Sequence, residues 1–101
     1  MHFALIYTQG PAWNVEKPLQ EQQGISDHQE YLQGLFDAKT LLISGPFTDS
    51  IGGVAIIKAD DPTEAQGIAE HDPFVLNHLA QTTVHPLCVL FDQQMGKSLR
   101  S

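Results

Sequence analysis

The chain has 101 residues, of which 42% are hydrophobic, and its 12 acidic and 5 basic side chains give a formal net charge of −7. This length is enough for one domain with a single core, over residues 1–101. A negatively charged chain is repelled by nucleic-acid phosphates and by anionic membranes, so neither is expected as a partner.

The single cysteine and the N-terminal residues indicate a cellular location. Cys88 lies in the apolar stretch 86–91, and one cysteine excludes an internal disulfide, which favours a reducing compartment. We expect a buried structural thiol. The chain begins Met1-His2-Phe3 without a basic region, and no apolar run approaches the roughly 20 residues of a membrane span. We therefore expect a soluble cytoplasmic protein.

The first third of the chain predicts a strand, a long loop and a helix. Residues 2–8 are largely apolar at both alternating sets of positions, which is typical of a central strand covered on both faces. Residues 9–24 form a loop long enough to cover a site, where Trp13 either closes a pocket or anchors the loop. Ser26 or Asp27 can cap the helix. Its apolar stripe is Tyr31, Leu32, Leu35 and Phe36.

The rest of the chain completes a pattern of four strands and two main helices. The predicted elements are strands at 40–44, 54–58 and 82–91, a helix at 62–69, a short helical turn at 74–80 and a loose tail at 93–101. Residues 48–53 form a hairpin turn. Asp60 or Asp61 caps the helix, with Pro62 at its first position. Pro86 places the last strand at an edge or a bulge.

This order of elements is the split βαβ pattern of ferredoxin-like α+β folds, with a four-stranded antiparallel sheet. One face of such a sheet carries the helices. Apolar residues on both faces of the strands mean that the other face also needs a cover. A second copy of the chain provides one, so we expect a homodimer.

His28 is directed toward the core by the helix that carries it. At about 100° per residue, it falls in the same arc as Leu32 and Leu35. It also lies in the first helical turn, where the positive end of the helix dipole and apolar surroundings both disfavour an imidazolium. A neutral imidazole can act as a general base.

Asp72 ends the second helical pattern with a carboxylate where an apolar residue is expected. It lies four residues after Ile68 and continues the inward stripe, before Pro73 stops the helix. A buried carboxylate costs free energy unless it is paired. His28, on the inward face of the other helix, is a candidate partner.

A family resemblance is carried by His28, by Leu42-Ile43-Ser44-Gly45-Pro46-Phe47 and by Asp72-Pro73-Phe74. Over almost its whole length, the chain resembles the YciI-like (YCII-related) family. That resemblance implies a ferredoxin-like fold paired into a dimeric α/β barrel, related to muconolactone isomerases, with His28 and Asp72 in the active site. A dehydrochlorinase is known among the family's relatives. The chain departs from the family at Lys39, where glycine is common.

A paired His28 and Asp72 suits proton abstraction in an isomerisation or an elimination. Asp72 would fix the imidazole tautomer while the other ring nitrogen takes the proton. The predicted substrate-binding residues are Ser44, Gly45, Pro46, Phe74 and Tyr7. Two alternatives remain open, namely a buried pair that only holds two helices together and a core Tyr7 whose hydroxyl is satisfied internally.

The other histidines give no metal-binding pattern. His71 and His78 flank Pro73 and do not share one helix face, while His2 and His85 lie on terminal strands and are expected at the surface or an interface. We predict neither a metal nor a cofactor. Three functions remain open: a lyase or isomerase acting on a small organic molecule, a non-catalytic binding module, and a dimer that is a partner for another protein.

Overall fold

The computed structural model describes residues 1–96 and 98. They contain four antiparallel strands and three α-helices. The elements are β1 (His2–Gln9), α1 (Ile25–Asp37), β2 (Leu41–Pro46), β3 (Gly53–Lys58), α2 (Pro62–Glu70), α3 (Pro73–Leu76) and β4 (Ala80–Leu87). The sheet order is β2-β3-β1-β4, which confirms the predicted fold with β1 inside the sheet and β4 at an edge. None of the described helices is long and apolar enough to cross a bilayer.

The helices pack on one face of the sheet and enclose the core there. Alternate side chains of β1 point toward them and are buried, namely Phe3, Leu5 and Tyr7. Asp61 caps α2, as predicted. The small residues Ala65 and Ala69 of α2 are fully buried, which lets this helix lie close to the sheet. The Tyr31 hydroxyl of α1 donates to the Ile68 carbonyl at 2.7 Å and ties α1 to α2.

The opposite face of the sheet is apolar and is not covered by the helices. We call it the open face and define it by Ala4, Ile6, Ile43, Val54 and Ile56. The register pairs Ile56 with both Ala4 and Ile43, which puts these side chains together. Ile43 is 66% exposed, and the other four residues are only half-buried. The predicted cover on this face is therefore not supplied by the described chain.

Two expectations about the first helix were wrong. Gly24, rather than Ser26 or Asp27, is the N-cap of α1, and its φ of 88° is a left-handed conformation that glycine adopts without strain. Phe36 was expected in the buried stripe but is 57% exposed. It lies at the edge of the apolar arc, about 80° from His28, and so turns away from the sheet.

The last strand is shorter than predicted. β4 ends at Leu87 rather than at residue 91, so Cys88 lies beyond the sheet and is exposed instead of buried. Pro86 is accommodated because β4 is an edge strand. Of the predicted tail 93–101, positions 93–96 form turns, and positions 97 and 99–101 lie outside the described residues.

Gly10 connects β1 to the loop that precedes α1, and the backbone near β4 leaves no room there for a side chain. Its N–H donates to the Leu79 carbonyl at 2.9 Å. A Cβ atom on Gly10 would meet the His78 carbonyl oxygen and would lie 2.8 Å from the Ala80 nitrogen. Because these are backbone atoms, they cannot move aside as a flexible side chain would.

We expect Gly10→Ala to lower the free energy of unfolding by about 1–3 kcal/mol through this steric conflict. Gly67→Ala is the control, since nothing lies within 4 Å of a Cβ at that position in α2. The control should be neutral or should stabilise by about 0.5–1 kcal/mol. Denaturant unfolding measures both variants, and equal stabilities would contradict the assigned contact.

Candidate active site

Asp72 lies at the junction of α2 and α3, and its side chain is fully buried. As N-cap of α3, it accepts a hydrogen bond from the Phe74 backbone N–H at 2.9 Å. The Tyr7 hydroxyl donates to Oδ2 at 3.0 Å, and Nδ1 of His28 lies 2.8 and 2.9 Å from the two carboxylate oxygens. An ionised carboxylate can only accept hydrogen bonds, and all three partners of Asp72 can donate them. The buried charge is therefore satisfied.

The His28 imidazole is held by three neighbouring side chains. Its Nδ1 faces Asp72, which assigns the Nδ1 proton to that hydrogen bond. The ring stacks on Phe74 with centroids 4.3 Å apart and 5° between the planes, and the Tyr7 ring meets it edge-on at 6.0 Å. The side chain is 15% exposed. No residue of 1–96 or 98 hydrogen-bonds to Nε2, so this nitrogen keeps a free lone pair.

Tyr7 is kept in its protonated form by its surroundings. Burial, followed by the negative charge and the hydrogen bond of Asp72, raises the pKa of Tyr7 well above its ordinary value. Burial also raises the pKa of Tyr31, with a smaller contribution from Asp72. The Tyr7 hydroxyl therefore serves as a permanent donor to Asp72, while the ring faces the neighbouring cavity.

A cavity of about 530 Å³ opens beside His28, a size that suits a small organic ligand. All the residues predicted to bind substrate line it, namely Tyr7, Ser44, Gly45, Pro46 and Phe74. Phe74 is only 4% exposed, since His28 stacks on it. The fully buried Asp72 lies behind His28 and is not part of the lining. The structure thus brings the predicted residues together, while their roles stay predictions.

The loop between β1 and α1 is anchored by Gln22, a residue that the sequence analysis missed. Gln22 is 3% exposed, and its Nε2 donates to the carbonyls of Asn14 and Lys17, both at 2.7 Å. Its Oε1 accepts from the Asn14 N–H at 3.0 Å. These bonds hold the segment with Trp13 and Lys17 in the cavity wall. Two other glutamines lie nearby at positions 20 and 23, and no sequence pattern separates Gln22 from them.

The remaining histidines lie apart from this site. His71 contacts the Gly67 carbonyl at 2.7 Å, and His85 contacts the Thr83 hydroxyl at 2.9 Å. Within residues 1–96 and 98, no group of three or more His, Cys, Asp or Glu side chains could hold a metal ion. Independence from metals and cofactors stays a prediction that activity measurements will test.

Comparisons with known proteins agree with this fold. Residues 1–87 match the profile of the YCII-related domain. The uncharacterized protein YjpA of Bacillus subtilis (strain 168) is 36% identical over 63 residues, which cover 62% of this chain and 74% of that protein. 5-Chloro-2-hydroxyhydroquinone dehydrochlorinase (TftG) from Burkholderia phenoliruptrix AC1100, solved in complex with 2,5-dihydroxybenzoquinone, has a similar structure. The two structures superpose with a TM-score of 0.63 and are 28% identical in sequence. The match covers 87% of this chain and 94% of the dehydrochlorinase chain.

Tyr7→Phe is predicted to destabilise the protein, because it removes one donor from the buried Asp72. We expect the free energy of unfolding to fall by about 1–3 kcal/mol at neutral pH. Since folding raises the pKa of Tyr7, this loss should be complete below the ordinary tyrosine pKa of about 10. It should shrink at higher pH, where the unfolded parent loses the proton first.

Denaturant unfolding between pH 7 and pH 11 measures this difference. Tyr31→Phe is the control, because its hydroxyl bonds to the neutral Ile68 carbonyl in a partly buried position and should contribute only about 0.5–1.5 kcal/mol. A loss for Tyr7→Phe that is no larger than the control, or that does not change with pH, would contradict the assigned role.

Proposed function

The chain belongs to the YCII-related domain family, and we propose that it is a small cofactor-free enzyme in which His28 acts as a general base oriented by Asp72. One observation carries this proposal. Nδ1 of His28 is 2.8 Å from the Asp72 carboxylate, while Nε2 has no partner among the described residues and the ring lines the cavity. A carboxylate that binds Nδ1–H fixes the tautomer whose Nε2 accepts a proton.

The proposed reaction is an isomerisation or an elimination on a small organic molecule. Nε2 takes a proton from an acidic C–H or O–H bond, and the electron pair left behind moves into an adjacent carbonyl or unsaturated ring. Return of the proton to another atom completes an isomerisation. Departure of chloride with its bonding pair completes an elimination, the activity named for the similar TftG structure. The predicted cytoplasmic location is part of the same proposal.

The other residues of the site are assigned roles by what they contact. We propose that Ser44 and the backbone at Gly45 and Pro46 bind the substrate, because they line the cavity on β2. Tyr7 and Phe74 line the same cavity, but they also contact the catalytic pair. They therefore combine a surface for the substrate with the positioning of the base.

The open face supports the proposal of a homodimer. Monomeric proteins rarely expose contiguous apolar patches larger than a few hundred Å². The open face continues across three neighbouring strands through Ile6, Ile43 and Ile56, and its most exposed member, Ile43, is 66% accessible. If a second copy contributes the same face, the open faces of both copies are covered. This agrees with the paired barrel that the family resemblance implies.

His28→Gln tests the proposed base. It keeps a polar side chain but removes the basic nitrogen, so we expect kcat to fall by about 10²- to 10⁴-fold while ligand affinity is retained. Chloride release from 5-chloro-2-hydroxyhydroquinone is the first assay. His71→Gln, which replaces an exposed histidine next to Asp72, should turn over like the parent.

Three results would contradict this proposal. Equal turnover by His28→Gln and the parent would make the pair purely structural. Ligand binding without any turnover by the parent would make the protein a binding module. Activity that a chelator abolishes and a divalent ion restores would end the claim of cofactor independence, although the site itself would stand.

Ile43→Asp tests the dimer. A carboxylate within an apolar interface is costly to bury, so this variant should have the 11.1 kDa mass of one chain in light scattering, whereas the parent should have twice that mass. Leu76→Asp is the control, since Leu76 is 57% exposed on α3, away from the open face. A parent with the mass of one chain, or an Ile43→Asp variant that stays dimeric, would contradict the interface.

A further inference from the structure

The charge on the cavity wall is opposite in sign to that of the whole protein. The chain has 12 acidic and 5 basic side chains, yet no Asp or Glu lines the cavity beside His28. The nearby carboxylate, Asp72, is fully buried and is engaged by three donors. Lys17 is the cationic residue of the lining, and no carboxylate of the described chain forms an ion pair with it.

Lys17 is fixed in the wall through its backbone. Its N–H donates to the Asn14 carbonyl at 3.1 Å, and its own carbonyl accepts from the buried Gln22 amide at 2.7 Å. Lys17 is an exposed residue, and its ammonium group is carried on a flexible stem. Because the backbone at Lys17 is already fixed, an incoming anion can be bound by this side chain with little ordering of the loop, which lowers the entropic cost of binding.

The rest of the wall suits a flat apolar molecule. Large apolar side chains from three parts of the chain line the cavity, namely Trp13, Leu19, Ile25, Leu32, Phe47 and Phe74. Such walls favour burial of an apolar ring, whereas Lys17 is an exposed residue. The cavity therefore combines an apolar surface with one unpaired positive charge.

We propose that the cavity binds a planar organic anion, with its carboxylate, phenolate or enolate group on the Lys17 ammonium and its apolar body against the aromatic wall. This inference rests on the proposed function for the site and adds the substrate class, an anion with an acidic proton within reach of His28. Lys17 is the residue that determines specificity. Without it, a protein with a net charge of −7 would repel such a ligand.

A titration with two quinone-type probes tests the proposal without requiring turnover. 2,5-Dihydroxybenzoquinone is planar and anionic at neutral pH, and hydroquinone is a neutral ring of similar size. Calorimetry on the parent should show that the anion binds at least about tenfold more tightly than hydroquinone. Its affinity should fall as ionic strength rises, because salt screens the contact with an exposed ammonium.

Variants at Lys17 separate its charge from its bulk. Lys17→Gln should weaken binding of the anion by about tenfold and leave hydroquinone unchanged, as expected for the loss of one charge-assisted hydrogen bond. Lys17→Arg should retain most of the affinity. Lys58→Gln is the control, because it changes the net charge equally but lies outside this cavity, and it should have no measurable effect. Melting curves confirm that each variant is folded.

Three outcomes would overturn the proposal: no binding of the anion by the parent, equal binding of the two probes, or unchanged anion binding by Lys17→Gln. Failure of the proposed base is distinguishable from these. If Lys17→Gln loses the anion while His28→Gln keeps full turnover, the anion site stands and the base does not. If Lys17→Gln binds normally while His28→Gln is inactive, the base stands and the anion site does not.

Discussion

A fully buried carboxylate is the constraint on which the rest of the structure depends. Asp72 accepts hydrogen bonds from Tyr7 on β1, His28 on α1 and the backbone of Phe74 on α3. Leaving such a charge unpaired costs several kcal/mol, so the sheet and both helices must meet in one arrangement for any of them to be stable there. The interactions that fix the fold at this point are therefore the same ones that orient the proposed base.

The helix that carries His28 packs against the core and also forms part of the cavity wall. No residue of α1 is fully buried, and Ile25 and Leu32 of its apolar stripe line the cavity. Empty space beneath a helix costs packing energy. The hydrogen bonds of Gln22 and Asp72, the two buried polar residues of the described chain, fix the loop and the helix around that space. Such a loss of stability is common where a binding site is required.

Helical periodicity directed both His28 and Asp72 toward the core, and the family resemblance added that the two residues share one site. Asp72 itself follows α2 as the extended N-cap of α3, so its position depends on the junction of the two helices. Lys39, where the family resemblance leads us to expect glycine, adopts a left-handed φ of 64°, so this departure falls on a position with a special backbone conformation. The Tyr7–Asp72 bond joins residues 65 positions apart, and Gln22 acts within a loop without periodicity. Such contacts depend on tertiary packing, which no local pattern encodes.

The protonation of the two ring nitrogens of His28 in the ligand-free protein tests the central claim most directly. Nitrogen NMR distinguishes a protonated ring nitrogen from one with a free lone pair. Heavy-atom positions alone cannot make this distinction. The account predicts a proton on Nδ1, donated to Asp72, and none on Nε2 at neutral pH, because a base must offer its lone pair to the substrate. A proton on Nε2, whether in the other tautomer or in an imidazolium, would contradict it.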